Sequence, residues 1–246
     1  MTPTSSNTAS TPTVSSSGRL PPSRTDGFTL LELLVAVVIL AAVVAAALGA
    51  FNGILGTIGA VESSRDTYAM GRACLNRIMA DLESIHVTTA PLFLKPDLRD
   101  RPDPYRMEAA RKTVGSETFS WIRFSSLAHV DLDGSGRAGI AQIVYYVTQD
   151  EDGNYRLHRQ DRPYPWPEFE PDSSDPLIAE NISGFDLVLY DDKGDPHEQW
   201  DSESGDYDWA TAGSISVSLG IRAHGGTVDF ITRVVLPVVR PPWKKK

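Results

Sequence analysis

Gly27-Phe28-Thr29-Leu30-Leu31-Glu32-Leu33-Leu34-Val35-Ala36 sets a single carboxylate among aliphatic side chains, five residues past a glycine. Downstream of it, Leu33 to Val61 runs for 29 positions without a charge. At about 1.5 Å per helical residue this run exceeds the roughly 30 Å of bilayer hydrocarbon, so it predicts a membrane-spanning helix. Upstream, residues 1–25 hold thirteen Ser or Thr and four Pro, with Arg19 and Arg24 near the end, a composition that cannot build a core and predicts disorder. From Glu62 onward the chain is polar, acidic and punctuated by Gly and Pro, which predicts one anchored globular domain. The basic pair before the span and the mixed charges Glu62, Arg65 and Asp66 after it place the N-terminus in the cytoplasm by the positive-inside rule.

A cleaved secretory signal is the competing reading, with a small-residue site within Ala41–Ala47. Glu32 decides against it. An ionised side chain in a membrane segment costs on the order of 2.5–3.5 kcal/mol even on a lenient insertion scale and persists where it has a partner. Glu32 is either an interfacial residue snorkelling to the headgroups or a group that meets a fixed cation. A new α-amino group on Phe28, made by cutting after Gly27, would be such a cation.

These residues resemble the type IV prepilin signature shared by type IV pilins and the pseudopilins of type II secretion: a glycine, then Phe-Thr-Leu-Leu-Glu, then an apolar helix. The resemblance covers Gly27 to about Phe51. It implies cleavage between Gly27 and Phe28 by a prepilin peptidase, N-methylation of Phe28, and a contact from Glu32 to the N-terminal amine of a neighbouring subunit during assembly. A carboxylate and an ammonium that are each costly in hydrocarbon offset one another when paired, so the pair selects subunit register. The chain departs from the signature in its 27-residue leader, longer than in many members, and in Asp26, where a basic residue is common.

The whole chain has 246 residues, 23 Lys plus Arg against 32 Asp plus Glu, and a net charge of −9. That balance repels a phosphate backbone and argues against nucleic acid as a partner. The one cysteine, Cys74, excludes a disulfide scaffold and a cysteine-based zinc site. Phe28 to about Ile85 reads as one long helix, apolar all round in its first half. Tyr68, Leu75, Ile78, Leu82 and Ile85 then form an amphipathic stripe that must pack on something. Gly49, Gly53, Gly56 and Gly59 read either as bending points or as small residues at a tight helix interface.

Residues 88–116 read as a connecting loop with a short helix around Tyr105–Lys112. Strands are predicted at Phe119–Phe124, Ile140–Thr148, Tyr155–Arg159 and Phe185–Leu189. The clearest signal comes last: Ile215, Val217, Leu219 and Ile221 alternate with small residues, and His224-Gly225-Gly226 turns the chain into Val228, Phe230, Thr232 and Val234. One antiparallel sheet packed on the amphipathic half of the helix gives an α+β, pilin-like roll. The boundaries are a leader at 1–27, a transmembrane and assembly helix at 28–61, its amphipathic continuation at 62–87, the loop at 88–116, a periplasmic β-rich domain at 117–240 and a tail at 241–246.

Within the prepilin-like class the rest of the chain is similar to the J-type minor pseudopilins. The likeness lies in Leu75–Leu82, Val144–Val147 leading to Tyr155–Arg159, Gly184–Tyr190, the acidic loop around Trp200 and the closing Ile231–Pro237. It implies a structural subunit at the tip of an inner-membrane pseudopilus, with I- and K-type pseudopilins and the major pseudopilin as partners. K-type subunits typically lack the glutamate, so Glu32 argues against that role. A minor type IV pilin is the alternative within the class. A signal-anchored periplasmic binding or hydrolytic domain is the alternative outside it.

Catalytic signals are absent from the sequence: the five histidines form no H-E-x-x-H and no serine sits in G-x-S-x-G, so no enzyme is expected. Gly134–Gly139 matches G-x-G-x-x-G, but a strand rather than a helix is predicted to follow, which argues against a dinucleotide. Asp131, Asp133 and Ser135 occupy the first ligand positions of an EF-hand-type calcium loop, yet Gln142 stands where the bidentate Glu belongs. An Asp/Gly hairpin turn is the plain reading of this segment and calcium the alternative. The acidic run from Asp191 to Asp208 reads as a solvated loop, with ordering by periplasmic calcium as the alternative.

Overall fold

The computed structural model describes residues 27–95, 103–131, 139–164, 169–223 and 225–243, with the backbone alone over 52–63. Residues 1–26 of the leader, Asp133, Ser135, His224 and the terminal lysines lie outside the described residues. The chain divides into two units, Met1–Ile54 and Leu55–Lys246. One helix, α1 (Leu30–Glu83), contributes to both.

In the first unit, Leu30–Phe51 is long and apolar enough to cross a membrane, and none of it is buried by protein. Aliphatic side chains such as Leu34 and Val44 stand about half exposed all round the helix. A helix that is apolar on every face needs lipid or other helices as its solvent.

In the second unit the helix is amphipathic. Thr67, Gly71, Cys74, Leu75, Ile78, Asp81 and Leu82 are buried on one face, at spacings of three and four. Tyr68, predicted on that stripe, is instead 54% exposed, with its ring edge-on to Phe230 at 5.8 Å. Its place is taken by Gly71, where an added Cβ would fall 2.3 Å from the Phe230 ring. The glycine that brings helix and sheet together is therefore Gly71, while Gly49 has open space around it.

The strands form two sheets rather than the single sheet expected. The first contains β1 (Ile85–His86), β2 (Glu108–Val114), β3 (Glu117–Ser126), β4 (Ala141–Gln149), β5 (Tyr155–Pro163), β6 (Leu177–Glu180) and β9 (Trp200–Asp201). Their order is β6-β5-β4-β3-β2-β9, with β1 beside β3. The second holds β7 (Ile182–Tyr190), β8 (Pro196–His197), β10 (Ser214–Ala223) and β11 (Gly226–Val235) in the order β11-β10-β7-β8. Every pairing among the described residues is antiparallel. The class is α+β, as the sequence predicted.

Strand β4 is buried continuously from Ala141 to Val147, as a strand covered on both faces must be. In β10, Ile215, Val217, Leu219 and Ile221 are fully buried while Ser216 and Ser218 are not, so the two-residue period is obeyed. The sheets meet where Leu187 N–H donates to Ser120 Oγ at 3.0 Å.

Two further expectations are corrected. The segment around Tyr105–Lys112 holds no helix: Glu108–Val114 is a strand paired with β3 along its whole length and turning back at Gly115, whose φ is +61°. Its Ala and Lys residues favour a helix locally, and the long partner strand overrides them. The acidic run is also more ordered than a solvated loop. It carries β8, β9 and a 3₁₀ turn at Gly205–Tyr207, with Trp200 and Ser202 buried in it.

Candidate functional site

Thr29 opens α1 as its N-cap. Its hydroxyl accepts from Glu32 N–H at 3.3 Å, the Glu32 carboxylate accepts from Thr29 N–H at 3.4 Å, and Leu33 N–H donates to the Thr29 carbonyl at 3.2 Å. This is a capping box, T-x-x-E, which satisfies two backbone donors that a helix start otherwise leaves bare. The sequence reading weighed Glu32 only as a snorkelling or assembly carboxylate and missed this local role, although the spacing announces it. Glu32 also sits where the helix dipole favours negative charge. Gly27 and Phe28 precede the cap without regular structure, and Phe28 is 84% exposed. The junction thus presents an exposed Gly-Phe bond followed at once by a capped helix start, with the one carboxylate of the apolar segment beside it.

The other end of the helix carries a second concentration of charge. Asp81 is fully buried, and its carboxylate is gripped by Arg159 through Nε at 2.7 Å and Nη2 at 3.1 Å. Arg77, one helical turn earlier, and the Tyr145 hydroxyl donate to the same carboxylate. Arg159 continues the chain: its Nη1 donates to Asp161 at 2.6 Å, and Asp161 in turn holds His129 Nδ1 at 2.6 Å and Val130 N–H at 2.9 Å. Ser126 Oγ donates to the Asp81 carbonyl at 2.8 Å. One ladder therefore ties α1 to β3, β4, β5 and the segment that leads to Asp131.

The electrostatics follow from this packing. Burial alone would lower the Arg159 pKa, but its hydrogen bonds to Asp81 and the charges of Asp81 and Asp161 outweigh burial and raise it. Burial, and then the neighbouring Asp81, push the Tyr145 hydroxyl well above its ordinary value. Arg159 and Tyr145 therefore both keep their protons across the physiological range. Cys74, on the same helix face, is pushed up to about 12 by burial and is a packed thiol.

A second buried arginine secures the acidic excursion. Arg240 is 2% exposed; it pairs with Asp103 at 2.6 Å, donates to the Ser202 and Trp209 carbonyls at 2.6 and 2.8 Å, and lies over the Phe93 ring at 3.6 Å. Burial raises the pKa of nearby Glu203, although Asp103 N–H donates to its carboxylate. Of the predicted calcium ligands, Asp131 is exposed at the end of the described segment. Among the described residues no group of three or more His, Cys, Asp or Glu converges to hold a metal ion.

A family model described as the prokaryotic N-terminal methylation motif matches residues 22–48, a span that contains Gly27, Phe28, the capping box and most of the apolar segment. The chain carries a type IV prepilin-like leader and methylation motif. It is pilin-like or pseudopilin-like at its N-terminus, with one apolar helix suited to a membrane anchor. No curated protein matches the chain.

Proposed function

We propose that this protein is a minor pseudopilin of type II secretion, most like the J-type, which helps to initiate the pseudopilus tip and so supports export of folded proteins through the outer membrane. It acts as a structural subunit rather than an enzyme. The observation that carries the reading is the methylation motif over residues 22–48 with Glu32 as the one charge in the apolar segment behind it. A prepilin peptidase cuts between Gly27 and Phe28 and the new Phe28 amine is methylated. Residues 28–61 then hold the subunit in the inner membrane with its N-terminus cytoplasmic, and the β-rich domain lies in the periplasm. During assembly the Glu32 carboxylate leaves its cap and pairs with the amine of a neighbouring subunit.

The J-type assignment rests on sequence likeness in the second unit, and co-purification tests it. The full chain, expressed with I- and K-type pseudopilins and extracted in detergent, is expected to be recovered with both. Recovery with neither, together with incorporation into a type IV pilus, would assign it as a minor pilin instead.

A further inference from the structure

Strand β11 ends the four-stranded sheet, and its ten residues pair with β10 without a register shift. The parity of that pairing is fixed by Leu236 N–H, which donates to the Gly213 carbonyl at 3.0 Å in the same register. In an antiparallel pair the hydrogen-bonded positions alternate, so Val228, Phe230, Thr232 and Val234 address β10. Thr227, Asp229, Ile231, Arg233 and Val235 turn their N–H and C=O groups away from it. No strand pairs with that outer side among the described residues.

The side chains of the same five residues stand on the sheet's outer face and are exposed, Ile231 by 73% and Val235 by 74%. The opposite set faces α1: Phe230 meets Gly71, and the Thr232 hydroxyl lies 3.7 Å from the Met79 sulfur. Edge strands are ordinarily blunted by shortness, charged side chains, proline, bulges or a covering element, because an open row of backbone groups is a template for another strand; the charges of β11 are one acid, Asp229, and one base, Arg233. Strand β11 has neither proline nor bulge.

We propose that β11 is a docking edge for an extended segment of another protein, which adds to the four-stranded sheet as an antiparallel strand. Charge and apolar positions define the segment. Residues directly opposite on an antiparallel pair interact, and like charges there are unfavourable. The added strand therefore carries a base opposite Asp229, an apolar residue opposite Ile231, an acid opposite Arg233 and an apolar residue opposite Val235. Read from its own N-terminus, its pattern is apolar-x-acid-x-apolar-x-base. Arg233 lies on the outer face with its guanidinium 3.7 Å over the Tyr190 ring of β7 and Nη2 donating to Ser214 Oγ of β10 at 2.8 Å, so it turns from these contacts towards the open edge to meet that acid. Backbone pairing supplies the affinity and the alternate side chains supply the choice of partner.

Hydrogen exchange on the full chain in detergent micelles tests this, with the peptide Val-Thr-Glu-Thr-Val-Thr-Lys as probe. Without probe, the amides of Val228, Phe230 and Thr232 are expected to be protected and those of Asp229, Ile231 and Arg233 to exchange freely. Saturating probe should slow the second set at least tenfold. Ile231→Pro removes an outward N–H only, so it should abolish this protection while the first set stays protected. A probe with Glu and Lys exchanged should bind at least tenfold more weakly, and the Asp229→Lys, Arg233→Glu variant should reverse that preference. Outward amides already protected without probe would overturn the proposal. If that protection scaled with protein concentration, a second copy would be the occupant. Binding indifferent to the charge exchange would overturn it as well.

Discussion

Glu32 caps α1, and its replacements separate that role from the assembly contact proposed for it. Glutamine keeps the capping box, because its side-chain oxygen still accepts from Thr29 N–H, but it cannot neutralise an ammonium in hydrocarbon. Glu32→Gln should therefore retain an ordered helix start, read by amide exchange at Leu31 to Leu33, and lose incorporation into filaments. Full incorporation of that variant would reduce Glu32 to a cap. Thr29→Ala should weaken the same helix start by about 1 kcal/mol. At the other end of the helix, Asp81→Asn leaves Arg159 buried with only Asp161 as its counter-ion. Breaking a buried pair in this way costs roughly 3–5 kcal/mol, to be read by chemical denaturation. Burial raises the pKa of Cys74 to about 12, so the native thiol should resist a thiol reagent at pH 8 that modifies the unfolded chain at once. The sign of the linked stability follows: a folded pKa above the unfolded one stabilises at lower pH, and the contribution is lost as pH rises from about 9 towards 12. Tyr145 is raised in the same sense and adds to an alkaline loss of stability.

Strand β10, β11 and the second half of α1 show how local pattern becomes contact. The alternation of Ile215 to Ile221 was legible in the sequence because one face is buried and the other is not. Leu75, Ile78 and Leu82 were legible for the corresponding helical reason. Gly71 was not, because its meaning lies in Phe230, far along the chain. Gly71→Leu should drive a side chain into that ring and destabilise the domain by about 1–3 kcal/mol, and Phe230→Ala in the same chain should recover part of the loss. Strand β2 was illegible for a related reason. Only Ala109 of its residues is buried, so it shows little periodicity of its own and is held by its register with β3. Asp81 gave no sign either: it reads as one more acid on an amphipathic helix until Arg159 and Tyr145 are brought to it by two other strands.

The chain as a whole joins an apolar helical unit, exposed on every face, to a domain with its own core. That division was plain from composition, since an uncharged run from Leu33 to Val61 cannot be dissolved in the same solvent as the acidic residues that follow it. The split into two sheets was not, because it depends on which strands pair across long separations. The Asp81–Arg159–Asp161 ladder joins the second half of α1 to the first sheet through buried charges, beside the apolar packing of Cys74, Ile78 and Leu82. The proposed assembly role of Glu32 presupposes that the first 27 residues are removed and that Phe28 becomes the N-terminus. Intact-mass analysis of the full chain co-expressed with a prepilin peptidase measures this directly. The predicted product begins at N-methylated Phe28; a chain left uncut, or one cut near Ala47, would contradict the account.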